Sequence, residues 1–548
     1  MLQILISLLI YFVVFSGFGS LLDEKFNQLN QLSFQLINGM FVIAIVSLVT
    51  SMFMPLSIYY EVIVVIIGVG LFTYNKCWES FFKLKKSILL LFLLTCFVGS
   101  INAFLFDTFS YYLPTIKWLD NFGLVKGLAN YDFNLGQTSL WHIIQASFND
   151  SFDVFYKINV FIIAVYLIYI YEINQQKLIL FLPLFYLFVA SPSPDLPVFI
   201  LSILIFLNWY QSQSIDSIKY GLIIGAFIVL IKPIAFVFPV FFFILSLKNI
   251  AYYKSIYLLV FGLMMLFFIK NIILSGNFLF PLSIGNLSFL KHAVPASIYD
   301  ISALEGRFMA VSRTKYISKE SVQAMSLLSY YKYLSQNLHL SLYIFISIVV
   351  IQFLSFFVFI YKKNLEVSLL MFLFIVKAIV FMIISPQYRF LLDGFLIVAL
   401  FVLAMININK LIIYVVVYVS SISFVFTKNI VDNFTELYFM EMLTKYRAKQ
   451  LLIPTNYNLK TEKVKLFNLK SNYILNYPFS YNVDPIALNS TLLGRYWMQN
   501  FHPELIDSND INKGFIMRQN SISDKESIEN ILFLNNSDQK SNNTNNTK

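Results

Sequence analysis

The segment LFDTFSYYLPTIKWLDNFGLVKGLANYDFNLGQTSLWH, Leu105 to His142, decides how the chain is read. About twenty apolar residues precede it, enough to cross a bilayer, and Asp107 stands where they end. Tyr111, Leu113, Ile116, Trp118 and Leu119 then set apolar side chains along a short helix broken by Pro114. Tyrosine and tryptophan favour the membrane–water interface. The stretch reads as the end of a membrane span, an interfacial helix and a bounded outer loop.

The rest of the chain repeats the first half of that pattern. Its 548 residues are 58% hydrophobic and 12% charged, with a mean hydropathy of +0.73. So few charges cannot cover a soluble protein of this size, and apolar runs long enough to span a bilayer recur. The composition predicts an all-α polytopic membrane protein. The net charge of +10 is not a nucleic-acid signal, because no basic block occurs and the lysines sit in short turns. Cys77 and Cys96 have no metal-ligand spacing and are not expected to pair. Met1 to Leu22 lacks the basic start and cleavage site of a signal peptide. No phosphate-binding loop, GxSxG or dinucleotide fingerprint appears, which argues against ATP-driven transport and a cytosolic nucleotide-sugar site.

Hydropathy predicts about fourteen spans, starting near Met1, Phe34, Glu61, Ser87, Lys157, Lys177, Pro197, Tyr220, Ala235, Ile256, Leu340, Val367, Leu391 and Leu411. Pro233 and Pro239 make Tyr220 to Leu247 either two short helices or one bent one. Lys76, Lys83, Lys85 and Lys86 share one turn, Lys248 and Lys254 another, Lys362 and Lys363 a third. Placing these on the cytoplasmic side puts the first loop (107–156), SPSPD (Ser191 to Asp195), a second large loop (276–339), SPQYRF (Ser385 to Phe390) and the chain after Thr427 outside. The transmembrane domain is thus residues 1–427. A small extracytoplasmic domain is expected over 428–535, with a disordered polar tail at 536–548.

Charge at the membrane needs a reason, and this topology gathers several polar groups at the outer edge. Asp107 ends the fourth span and Asp195 opens the seventh; Lys232 ends the eighth, and Arg389 with Asp393 opens the thirteenth. Asp107 is either a helix-end carboxylate solvating the interface or a general base, or metal ligand, facing a cleft. Asp195, held in SPSPDLP, is a second acid, a metal partner or the start of the next helix. Lys232 either snorkels or binds phosphate. Arg389 matches phosphate oxygens, or pairs with Asp393 at i+4. Lys377, deep in its span, must meet a carboxylate such as Asp393, Asp195 or Glu61. His142, His292, His339 and His502 show no ligand spacing; His142, close to the first loop's aromatics, is the one of interest.

FDTFSYYLPTIKWLDNFGLVKGLANYDFNLGQTSLW resembles the first outer loop of membrane proteins from bacterial surface-polysaccharide loci. Their layout is similar to that of GT-C superfamily glycosyltransferases. Asp107, Tyr111, Leu113, Pro114, Ile116, Lys117, Trp118, Val125, Gly127, Leu128, Ala129 and Asn130 stand at matching places. SPSPDLP, GAFIVLIKPIAF, IKNIILSGNFLFP and SPQYRF resemble later landmarks of the group. The chain departs at Tyr112, where the group has His, and at Asn134, where it has Arg. The resemblance implies transfer of a sugar from a polyprenyl-phosphate carrier to a glycan or glycolipid acceptor, outside the bacterial inner membrane. Asp107 would be the base and Asp195 a second acid. Both are candidate ligands for a divalent metal, Mg or Mn. Lys232 and Arg389 would hold the lipid phosphate. Tyr111, Tyr112, Lys117, Trp118, Asn130 and His142 are candidates for donor or acceptor contacts. Two other readings use the same surface: a polymerase or ligase moving a lipid-linked oligosaccharide, and a non-enzymatic glycolipid flippase or transporter. The polymerase calls for more arginines at the outer ends, and the flippase for charges along a path through the bilayer.

Overall fold

A computed structural model describes the chain except residues 23–30, 83, 104, 312–324, 337–339, 427–447, 455–458, 476 and 533–548. His339, the polar tail and the start of the C-terminal segment therefore lie outside the described residues.

Long apolar runs favour helices because helices satisfy their own backbone polar groups. Seven helical stretches are long and apolar enough to cross a membrane: Leu2–Gly19, Leu32–Ser51, Asp195–Ser212, Pro233–Ser275, Tyr343–Tyr361, Leu365–Ile384 and Tyr388–Met405. Shorter apolar helices occupy Ile58–Tyr74, Ser87–Gly99, Ile158–Glu172, Gln176–Val189 and Lys410–Val425. Length alone thus licenses seven crossings, fewer than the fourteen expected. Breaks explain part of the difference. Gln176–Phe181 is a 3-10 turn leading into a short helix with Pro183 in its first turn. The Tyr220–Leu247 stretch resolves into two helices, α1 (Ile215–Ile231) and α2 (Val237–Ser246), parted at Lys232 and Pro233. Leu258, Phe261, Leu354 and Val419 stay exposed on the outside of the bundle, as lipid-facing side chains would.

Two sets of contacts tie the helix ends together. In one, Lys85 bonds Asn174, Lys177 reaches the Ile406 carbonyl at 2.6 Å, and Lys248 pairs with Glu366 at 2.9 Å. In the other, the first loop threads between helix ends. Leu124 N–H donates to Ser51, Leu56 N–H to Leu119, and Gly127 N–H to Ile273. Buried Glu61 accepts from the backbone N–H groups of Asp150, Ser151 and Phe152. Inside the bundle Lys377 pairs with Asp393 at 2.7 Å, both almost wholly buried. That chooses among the three carboxylates open to Lys377, and it takes Asp393 away from Arg389.

The second large loop is partly helical, at Ala296–Val311 and Leu327–Gln336. The C-terminal part is not all-α. Strands β1 (Thr461–Leu466) and β2 (Leu469–Ile474) pair antiparallel, and β3 (Ala487–Leu488) joins β2 in parallel. Helix α3 (Ser490–Gln499) leads to an antiparallel pair, β4 (Phe501–Leu505) and β5 (Phe515–Gln519). This small domain sits on the first loop. Tyr481 N–H donates to Phe109, Phe515 N–H to Lys126 and the Tyr131 hydroxyl to Ala487. Two glycines allow the closest approach. Gly127 (φ +65) would put a Cβ 2.2 Å from the Phe515 carbonyl, and Gly514 (φ +96) one 2.2 Å from that of Lys126.

Gly127→Ala is therefore expected to loosen the C-terminal domain. The left-handed backbone alone costs about 1–2 kcal/mol, and the clash adds to it. Limited proteolysis should cut between residues 448 and 532 faster in the variant; an unchanged digestion pattern would show that the contact is dispensable.

Candidate functional site

Four breaks in helices build the site. After residue 107 the backbone winds as a π-helical turn, Thr108–Tyr112, a local unwinding common at functional positions. It sets Asp107 beside Tyr112, whose hydroxyl lies 3.4 Å from the carboxylate. Pro192 and Pro194 form the next break, and Asp195 follows as the first residue of its helix, where the dipole favours an anion. The Thr108 and Ser191 hydroxyls bond at 2.6 Å and join the two turns. Lys232 ends α1 in an extended conformation, forced by Pro233. Arg389 lies in the 3-10 turn Tyr388–Leu391, after Pro386.

These ends meet as two ion pairs. Arg389 Nη1 lies 2.5 Å from Asp107 Oδ2, and its Nε donates to Gln387 at 2.9 Å. Lys232 Nζ is bonded to Asp195 Oδ1, and Ser193 Oγ stands 3.4 Å from the other oxygen. Phe390 sits between the pairs, its ring centroid 5.3 Å from the Arg389 guanidinium and 5.4 Å from the Lys232 ammonium. Both distances allow cation–π attraction. Asp195 is almost wholly buried, while Asp107 and Arg389 keep 16% and 33% of their side chains exposed, so the cluster opens on their side.

Tyr112 and His142 form the floor. Burial first, then the nearby Tyr111, Asp107 and Asp195, push the Tyr112 phenol's pKa up, so it stays a donor. His142 is fully buried, 4.9 Å from the Tyr112 ring between centroids. Burial first, then Lys270 and Lys232, push its pKa down to about 3. Neither ring nitrogen has a well-aligned hydrogen bond, although the Pro192 carbonyl favours its protonated form.

The structure thus brings together Asp107, Tyr111, Tyr112, His142, Asp195, Lys232 and Arg389. It places Lys117, Trp118 and Asn130 elsewhere. Lys117 faces Asp484 at 3.6 Å, Trp118 packs on Tyr131 and Phe515, and the Asn130 amide donates to the His292 and Phe515 carbonyls. These three hold the C-terminal domain on the loop. Lys270, deep in an apolar run and not singled out as a site residue in the sequence, is buried and donates to the Thr138 carbonyl. Among the described residues no three His, Cys, Asp or Glu side chains come together as a metal site. Asp107 and Asp195 each already face a cation, and a hard divalent ion wants several oxygen ligands. The residues in place do not compose such a site.

Residues 1–396 match the family described as Domain of unknown function (DUF8201), and the chain belongs to it. The match takes in every residue of the cluster and stops before the C-terminal domain. No curated protein and no solved structure matches the chain.

Removing one partner of a buried pair strands the other. Asp195→Ala is expected to cost about 3–5 kcal/mol, and Asp195→Leu with Lys232→Met much less, measured by thermal unfolding in detergent. Equal losses would show that pairing is not what holds these ends together. His142 adds a pH dependence. Its folded pKa lies below its ordinary 6.5, so the unfolded chain takes up the proton first. Stability is full above about pH 6.5 and falls as pH drops toward 3, at most about 1.4 kcal/mol per pH unit. His142→Gln should flatten that slope between pH 6 and 4; parallel slopes would assign the acid sensitivity to other groups.

Proposed function

We propose that this chain is a membrane glycosyltransferase. It moves a sugar from a polyprenyl-phosphate carrier to a glycan or glycolipid acceptor. The observation that supports this reading is the gathering of two carboxylates and two cations from four separate helix breaks, at one end of the bundle, with an opening toward Asp107 and Arg389. Such a place suits a reaction between a lipid-borne phosphate and a hydroxyl from the water side. In the same reading the chain crosses the bacterial inner membrane about fourteen times, its shorter helices completing the crossings, with the cluster and the C-terminal domain on the extracytoplasmic side.

The chemistry follows from the pairs. An incoming phosphate competes for Arg389, whose fork fits phosphate oxygens, and draws it off Asp107. The freed carboxylate takes the proton of the acceptor hydroxyl as that oxygen attacks the anomeric carbon. The bond from the anomeric carbon to the phosphate oxygen breaks, and the phosphate leaves with the electron pair. Lys232 and Arg389 stabilise the charge that develops there. Asp195 keeps Lys232 charged and aimed. Mg or Mn at Asp107 and Asp195 would have to displace both cations, so no step is assigned to a metal.

Asp107→Asn, expressed at the wild-type level, tests the proposal. Loss of a general base typically costs about 10²–10⁴ in rate. Mass spectrometry should find one sugar missing from the surface glycan and its polyprenyl-phosphate form accumulating. Unchanged glycan and lipid pools would reduce Asp107 to a structural partner of Arg389. Single repeat units without a length ladder would point to a polymerase.

A further inference from the structure

The loop after the span Pro233–Ser275 lacks the chemistry of a water-side segment. Residues 276–290, GNFLFPLSIGNLSFL, hold no charged side chain. Phe278, Leu279, Leu282, Ile284 and Phe289 are exposed, Ile284 by 70% and Phe289 by 79%. A contiguous apolar surface of this kind marks a membrane or protein contact. The loop is also built to do without water. Phe278 N–H donates to the Gly285 carbonyl, Leu282 N–H to that of Leu279 and Leu287 N–H to that of Gly276. The Asn277 side chain accepts from Leu279 N–H and donates to the Leu282 carbonyl, and the Asn271 amide donates to the Phe278 carbonyl. Irregular backbone at membrane depth needs its polar groups met within the protein.

Its position supplies a second argument. Helix Lys254–Ser275 has 22 residues, about 33 Å at 1.5 Å per residue, close to the thickness of the hydrocarbon core. Leu258, Phe261, Met265 and Ile269 are exposed on it at i, i+3, i+7 and i+11, one lipid-facing stripe. The loop folds back along this helix as a hairpin instead of rising from its end. The Phe278 ring lies 6.2 Å from that of Phe268 between centroids, and His292 Nε2 meets the Ile272 carbonyl at 2.9 Å. Phe268 precedes the helix end at Ser275 by about 10 Å along the axis. The exposed apolar residues of the hairpin thus continue the stripe of the helix.

We infer that residues 276–290 form an interfacial hairpin seated in the acyl region of the bilayer, beside helix Lys254–Ser275. Its partner is the lipid itself. Lys291, exposed and the first charge after the apolar residues, reaches the headgroups. On the inner side Phe280 is buried, its ring 4.6 Å from that of Phe133 between centroids. It also lies against Gly136 of the first loop, where an added Cβ would meet the ring at 2.7 Å. Insertion of the hairpin therefore sets the height of the first loop at the membrane surface. The inference needs only a membrane-spanning chain and stands apart from the transferase reading.

The test uses the full chain in vesicles of phosphatidylcholine and phosphatidylglycerol. Nitroxide labels are attached singly at Ile284→Cys and Phe289→Cys, with Phe261→Cys as the lipid-facing reference and Ser508→Cys, exposed on the C-terminal domain, as the water-facing one. The native Cys77 and Cys96 are buried. Power saturation compares collisions with oxygen, which concentrates in lipid, against those with a water-soluble nickel chelate. The oxygen-to-nickel ratio at 284 and 289 should match that at 261 and exceed that at 508 several-fold. A ratio like that at 508 overturns the inference. Protection from both reagents overturns it too, because a second copy or another segment of this chain would then cover the hairpin. Spin–spin broadening that disappears on dilution with unlabelled chain separates those two occupants. If a label at either position prevents folding, Leu282→Cys takes its place. Failure here leaves the transferase reading standing, since Asp107→Asn tests that by itself.

Discussion

A charge can remain in an apolar bundle only where an opposite charge or hydrogen-bonding groups answer it, and that requirement organises this molecule. Three carboxylates buried among the helix ends each have something to hold. Asp195 takes Lys232, Asp393 takes Lys377, and Glu61 takes three backbone N–H groups. Each of these contacts joins different segments of the bundle, so satisfying the charge also fixes how the helices sit. The prolines matter for the same reason. By ending helices at residues 192–194, 233 and 386 they free the neighbouring charged side chains to turn toward one another instead of along a helix.

The first loop carries two duties on one short stretch. Its beginning, Asp107 to Tyr112, faces the ion pairs. Its middle, Lys117 to Tyr131, faces the C-terminal domain through Trp118, Asn130 and Tyr131. The π-helical turn, Thr108–Tyr112, lies in the first of these stretches.

Much of the membrane part could be read in advance, because hydropathy and lysine placement act locally. The chain is mostly helical with seven candidate membrane spans, as the apolar runs led one to expect in kind though not in number, and Asp107, Asp195, Lys232 and Arg389 come together in one cluster. Partner choice was another matter. The i+4 spacing favoured Arg389 with Asp393, yet Asp393 turns inward to Lys377 and Arg389 reaches Asp107, 282 positions away. Spacing within a helix cannot weigh a competitor from another helix. Lys117, Trp118 and Asn130 were legible as a motif, but their partners in the C-terminal domain were not, for the same reason. The surface they serve begins more than 300 residues later, and Asn130 meets Phe515 across 385 positions. Nothing in the local pattern signals the strands of the C-terminal domain as a lid for that loop.

The start of the first helix also meets the segment at 448–452. The amino group of Met1 donates to the Gln450 carbonyl at 2.7 Å, and Gln3 N–H to that of Leu452. The first helix therefore waits, during synthesis, for a contact that the ribosome makes more than 400 residues afterwards. At about 5–20 residues per second that is tens of seconds with the start of the first helix unpaired. The chain must hold its earliest helices together by their own packing until that segment arrives.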